Sequence, residues 1–177
     1  MDRRHVAFLR GVGPAKKAPG DALSQCFEAA GYRAVRPVLA TGNVIFAPPE
    51  DEAAPAAADI ETLLESCLGR HFPVVLRSAS DIAAMMAAAP FKDLDLTRQT
   101  RLVCMLPDDA GTAGGMPRTS PEDGFRFAGR SGHNLFLVRD NDRVGTPQIM
   151  AFLDRRFGKR VTTRNWSTIE RIAALLG

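Results

Sequence analysis

Two short stretches of this 177-residue chain gather residue types able to hold an anion. Near the start, Arg10-Gly11 leave an apolar run, and Lys16-Lys17 follow in a loop that leads to Asp21 at a helix-start position. Near the end, Arg155, Arg156, Lys159 and Arg160 fall just before Arg164, Asn165 and the sole tryptophan, Trp166. Guanidinium and ammonium groups converging on one point bind phosphate or carboxylate, and a helix N-terminus strengthens such a site. The two stretches form one site only if the first and last strands are neighbours, and that adjacency is the expectation on which a joint site rests. The competing reading of the same charges is solvated surface that gives solubility.

Covalent and metal chemistry have less to stand on. His5, His71 and His133 sit at a strand start, after a helix and in a hairpin, with no Ser, Cys or carboxylate at motif spacing. The sequence has no nucleophile elbow, phosphate-binding loop, dinucleotide fingerprint or zinc-helix motif. Asp108-Asp109 and Asp140/Asp142 read as solvated turn residues. Cys26, Cys67 and Cys104 are odd in number, far apart and without metal-ligand spacing, so the expectation is three buried free thiols in a reducing compartment. No metal and no cofactor are expected, and the catalytic residues stay unassigned.

The net charge of +3 is small but uneven. Residues 1–40 carry +4, residues 41–100 carry −5 and residues 101–177 carry +4. A nucleic-acid-binding domain is usually more basic. Single-strand readers also stack bases on exposed sheet aromatics, and aromatics make up only 7% of this chain. An exposed Phe125 or Phe136 would reopen that reading; otherwise nucleic acid is disfavoured as a partner. The opening "MDRRHVAFLRG" has too short an apolar run for a signal peptide, and no stretch approaches the roughly 20 apolar residues of a membrane span. A cytoplasmic protein without a membrane partner is expected.

The elements that must position these residues follow from pattern. "HVAFLRG" (5–11) reads as a strand stopped by glycine, and "GPAKKAPG" (13–20) as irregular. Asp21 is the expected N-cap of a helix carrying Leu23, Cys26, Phe27 and Ala30, ended by Gly31. "RAVRPVLA" and "NVIFA" flank Thr41-Gly42 as a hairpin, with Pro37 placing the first strand at an edge or bulge. A helix with Ile60, Leu63, Leu64, Cys67 and Leu68 on its apolar face follows, then the strand "PVVLRS" (73–78). Strand, helix, strand, strand, helix, strand is the split βαβ, or ferredoxin-like, order.

Ser80 is the expected cap of the next helix, whose Met85-Met86 pair reads as gap-filling core. "LVCML" (102–106) is a strand, 107–124 a long loop, and 125–140 a second hairpin turning at Arg130-Ser131-Gly132. Thr146 and Pro147 open a helix ended by Gly158; "RVTT" (160–163) is the last strand. Ser167-Thr168-Ile169-Glu170 has the capping-box pattern for a closing helix. Trp166 is expected to pack between that helix and the sheet.

Four of these stretches, "FLRGVG", "ATGNVIF", "VVLRSASDIAAMMAAAPF" and "TTRNWSTIERIAALL", come in the order seen in a bacterial family, domain of unknown function 1697, which the chain resembles over nearly its whole length. The resemblance implies two ferredoxin-like halves and no particular reaction. It carries the family's recurring polar positions onto Arg10, Gly11, Thr41, Gly42, Asn43, Arg77, Thr163, Arg164, Asn165 and Trp166. The chain departs from the pattern in a first loop about two residues shorter, in Thr41 where Ser is usual, and in Ala89 where Asn is usual.

The sequence thus predicts an α+β protein of two ferredoxin-like (split βαβ) halves, the second irregular with an extra C-terminal helix. The first half spans 1–78, a connecting helix and linker 79–100, and the second half 101–177. The function expected first is a non-catalytic binding protein with an anion- or nucleotide-accepting basic surface. Its candidate ligand residues are Arg10, Gly11, Lys16, Lys17, Thr41, Asn43, Arg164, Asn165 and Trp166. Two alternatives stand beside it: an enzyme acting on a phosphorylated or carboxylated small metabolite, and a structural homodimer formed through an exposed sheet edge.

Overall fold

The computed structural model describes residues 2–12, 20–50, 52–110 and 116–177. Lys16 and Lys17 lie outside the described residues. The chain divides into two compact units, Met1–Ile82 with Leu175–Gly177, and Ala83–Ala174.

The first unit is built from β1 (His5–Leu9), α1 (Gly20–Ala29), β2 (Arg33–Pro37), β3 (Asn43–Ala47), α2 (Ala57–Leu68) and β4 (Val74–Ser78). Its strands form an antiparallel sheet in the order β2-β3-β1-β4. Alternation along the strands turns Ala7, Leu9, Val44, Phe46, Val74 and Leu76 to one face. There they pack with Leu23, Cys26 and Phe27 of α1 and Ile60 and Leu64 of α2. Helix α3 (Ala79–Ala87) follows.

The second unit holds β5 (Gln99–Met105), a 3-10 turn at Pro121–Asp123, β6 (Phe125–Ser131), β7 (Asn134–Asp140), α4 (Thr146–Phe157), β8 (Thr162–Asn165) and most of α5 (Trp166–Leu176). Its antiparallel sheet runs β6-β7-β5-β8. Leu102, Cys104, Phe125, Leu135 and Leu137 meet Ile149 and Leu153 of α4 on one face. Each unit therefore has its own core, and each sheet sets its strands in the same relative order.

Several expectations are corrected. Cys26 and Cys67 are not free thiols: they form a disulfide between α1 and α2, with Cα atoms 5.9 Å apart. Spacing along the chain carries no hint of this, because the 41-residue separation is closed only when the two helices pack on one sheet face. Cys104 is buried and takes part in no disulfide among the described residues.

Helix starts also shift. Helix α1 begins at Gly20, so Asp21 lies in its first turn instead of capping it. Ser78, not Ser80, caps α3: its Oγ accepts from the Asp81 N–H at 3.1 Å, and its own N–H donates to Asp81 Oδ2 at 2.8 Å. Gly145, not Thr146, caps α4, and α5 begins at Trp166, which puts Ser167 inside the helix.

The last strand is Thr162–Asn165 instead of 160–163, and β6 runs through Ser131, leaving Gly132-His133 as the turn. Pro37 does end an edge strand, β2, whose register shifts between Arg33 and Arg36. Ala34 there has a φ of +51°, as a bulge allows.

Candidate functional site

The expected pairing of the first and last strands does not occur. β1 is flanked by β3 and β4, whereas β8 pairs with β5 in the other sheet. The candidate residues therefore fall into two sets, one on each unit.

On the first unit, antiparallel pairing of Phe8 with Asn43 brings the end of β1 to the start of β3. Arg10-Gly11 and Thr41-Gly42-Asn43 thus share one corner, tied by the Leu9 N–H donating to the Gly42 carbonyl at 2.8 Å. Gly42 has φ +73°, and a Cβ there would lie 2.7 Å from Val12 Cγ2 and 3.0 Å from Leu9 Cβ, so glycine is required. Asn43 is fully buried. Its Nδ2 donates to the Val38 carbonyl at 2.8 Å and to Thr41 Oγ1 at 2.9 Å. This side chain holds the hairpin turn shut, a structural role that its polarity in the sequence did not distinguish from ligand binding. Arg10 is half-buried, and its N–H donates to the Pro73 carbonyl at 2.8 Å.

On the second unit, the β5–β8 ladder places Arg164 opposite Val103 and Asn165 opposite Leu102. Arg164 is half-buried. Its Nη1 donates to Thr162 Oγ1 and to the Thr163 carbonyl, both at 2.7 Å. Loss of water around the guanidinium pulls its pKa down to about 10. Asn165 is exposed.

Trp166, only 5% exposed, begins α5. Its ring meets Phe136 of β7 edge-on at 5.7 Å and Phe91 at 5.3 Å. It packs where the sequence expects it, between helix and sheet. Phe136 and Phe125 are 1% and 7% exposed, so neither offers a stacking surface for bases.

Trp166 also lines a cavity of about 310 Å³, together with Met86, Phe91, Lys92 and Arg101. Arg101 precedes Leu102, the partner of Asn165, so it faces Trp166 just past the end of the ladder. Its Nη1 lies 3.8 Å from Glu170 Oε1 on α5, a loose pair with both side chains over 40% exposed. Lys92 is exposed. The cavity therefore has an aromatic wall and two cations that solvent reaches. Of the Met85-Met86 pair only Met85 is fully buried in the core; Met86 is half-buried and lines this cavity. Lys92 and Arg101 were not singled out in the sequence. Their relation to Trp166 depends on the β5–β8 pairing and on Phe91 folding back over the sheet.

The other basic run behaves as surface. Arg155, Arg156, Lys159 and Arg160 are exposed, and Arg160 pairs with Asp109 at 2.7 Å. His5 Nδ1 lies 2.9 Å from the Arg3 carbonyl, and His71 sits 3.7 Å from Glu65. Among the described residues no cluster of three or more His, Cys, Asp or Glu is placed to hold a metal ion.

The family described as "Protein of unknown function (DUF1697)" matches residues 2–130. The chain belongs to this family. The match includes the Arg10–Asn43 corner and the Lys92 and Arg101 side of the cavity, while Trp166 lies beyond it. Among solved structures, the conserved bacterial protein SP0830 from Streptococcus pneumoniae is similar at 16% identity. The alignment covers 99% of each chain with a TM-score of 0.66, which makes the α+β fold a shared one. No curated protein sequence matches the chain at a significant level.

Proposed function

We propose that this DUF1697 member is a non-catalytic binding protein that accepts a small anion at the Lys92–Arg101–Trp166 cavity. The observation that carries the reading is the juxtaposition of two accessible cations with a rigid aromatic wall in one concavity. Charge-assisted hydrogen bonds from Lys92 and Arg101 supply affinity, and the fixed Trp166 and Phe91 rings supply shape. Among the described residues that line the cavity there is no carboxylate or imidazole, which favours holding a ligand over acid–base work on it. Arg164 and Asn165 precede Trp166 on β8 without lining the cavity, and the Arg10–Gly11–Thr41 corner is a separate candidate on the first unit.

We also read each half as ferredoxin-like, on the strength of the strand order that the two sheets share. Among the described residues, no helix is long and apolar enough to cross a membrane. A cytoplasmic location carries a condition, since a reducing compartment would open the Cys26–Cys67 bond. Two of the four sheet edges are irregular, which disfavours sheet extension there: β2 carries Pro37 and a register shift, and β6 shifts between Phe127 and Gly129, whereas the β4 and β8 edges are regular.

The single tryptophan makes the test direct. Pyrophosphate titrated at constant ionic strength should change Trp166 fluorescence saturably. Arg101→Gln and Lys92→Gln should each weaken that response about tenfold while leaving Tm unchanged. A response equal to that of added chloride, or one indifferent to both substitutions, removes the reading. Arg10→Gln serves as the comparison for the first-unit corner.

A further inference from the structure

We infer that the Cys26–Cys67 bond is a site of thiol exchange: a low-molecular-weight thiol enters at Cys67, and Cys26 resolves the adduct. The two cysteines share a bond and differ in surroundings. Cys26, on α1, is 1% exposed and packs in the first-unit core with Leu23 and Phe27. Cys67 lies one residue before the end of α2 and is exposed, as are Glu65 and Ser66 before it. The bond therefore runs from the protein surface into the core.

That orientation selects the sulfur that reacts. A thiolate attacks one sulfur of a disulfide and forms a mixed disulfide, so access decides which one. The approach is in line with the S–S bond, from the side opposite the departing sulfur. Toward Cys67 that side is solvent; toward Cys26 it is the packed core. A small thiolate thus bonds to Cys67 Sγ as the S–S bond breaks, and Cys26 leaves as a thiolate that takes up a proton. A second small thiolate attacks the adduct's outer sulfur, departs as the small disulfide and leaves Cys67 to take up a proton. Two small thiols are oxidised, and the protein disulfide gains their two electrons and both protons.

Run in reverse, a small disulfide leaves one half on Cys67 and releases the other as a thiol. The Cys26 thiolate then attacks Cys67 Sγ and expels the second half. Packed helices hold the two Cα atoms 5.9 Å apart, so this closure is intramolecular and outruns an external thiol. Opening the bond acts on α1 more than on α2. Glu61 Oε1 on α2 accepts from the Val74 N–H of β4 at 2.9 Å, which ties that helix to the sheet without the disulfide. Helix α1 packs through Leu23 and Phe27 and is joined to α2 by the bond itself.

The test uses the intact protein, with reduced and oxidised glutathione as the probes. Brief exposure of the parent to reduced glutathione is quenched with N-ethylmaleimide, and tryptic peptides are weighed; cleavage at Arg33 separates the two cysteines. Glutathione is expected on Cys67 and maleimide on Cys26, with the reverse placement at least about tenfold rarer. Under oxidised glutathione, Cys26→Ala should hold one glutathione on Cys67. The parent, reduced beforehand, should close its disulfide and hold at least about tenfold less. On reduction, amide exchange in Gly20–Ala29 should quicken at least about tenfold, and more than in Ala57–Leu68. Adducts divided evenly between the cysteines, a bond that opens only in urea, a parent that retains as much adduct as Cys26→Ala, or α2 loosening more than α1 overturns the proposal.

Discussion

Trp166 and Phe91 meet at 5.3 Å with their ring planes 68° apart, and both rings line the cavity that holds Lys92 and Arg101. One aromatic pair thus serves the core on one side and a concave surface on the other. The two roles separate by substitution. Trp166→Ala should cost about 3–5 kcal/mol, because a buried aromatic leaves a cavity that the sheet cannot refill. Arg101→Gln should stay within about 0.5 kcal/mol, since its pairing with Glu170 is exposed and loose. Urea denaturation of both variants checks the contrast, and equal losses would contradict it.

The disulfide sets the second expectation. Closing a loop of 41 residues between Cys26 and Cys67 stabilises the folded state by about 4 kcal/mol through restriction of the unfolded chain. Cys67 is exposed while Cys26 is buried, so a small reductant can reach the bond from one side. Adding a reductant should lower the urea midpoint by a corresponding amount. Cys104, at zero exposure, should stay unreactive toward thiol reagents until the protein unfolds.

Glycine at 42 is constrained twice, and glycine at 69 once. Both have φ near +70°, but a Cβ at Gly69 meets nothing within 4 Å, whereas at Gly42 it collides with Val12 and Leu9. Gly69→Ala should therefore cost about 1 kcal/mol, the backbone penalty alone. Gly42→Ala should cost at least about 1 kcal/mol more, as overpacking adds to it. Thermal unfolding of the two variants checks the contrast, and equal losses would contradict it.

Ala89 holds φ +40°, a region that suits Asn better than Ala. Ala89→Asn should raise stability by about 0.5–1 kcal/mol, seen as a higher Tm with the same fold.

Burial lowers the Arg164 pKa to about 10, and the sign of the consequence follows. The folded form releases this proton at a lower pH than the unfolded form does. Stability from this group therefore rises with pH from about 10 upward and is level below that. The difference in urea midpoint between the parent protein and Arg164→Met should be flat from about pH 7 to 9. Above pH 10 it should move in favour of the parent. A parent advantage that instead shrinks as pH falls through the carboxylate range would mean that an acidic partner dominates.

How far the sequence could be read varies by residue. Leu23, Phe27, Ile60 and Leu64 announce themselves by period, and all are buried. Pro37 marked an edge strand, and Trp166 its seat between helix and sheet. Capping residues were misplaced by one or two positions at Ser80, Thr146 and Ser167. Ser78 caps α3 in place of Ser80, Gly145 precedes α4 without any side-chain cap, and β8 runs directly into α5.

Period and turn chemistry are local, so the sequence by itself determined the α+β run of strands and helices and most of the core. Whatever depends on which strands pair was decided by tertiary structure. The Arg10 corner and the Arg164 strand went to separate sheets, Cys26 found Cys67, and Lys92 and Arg101 came to Trp166. These are contacts between residues tens of positions apart. Apolar faces closing over one another select them, and no spacing along the chain encodes that choice.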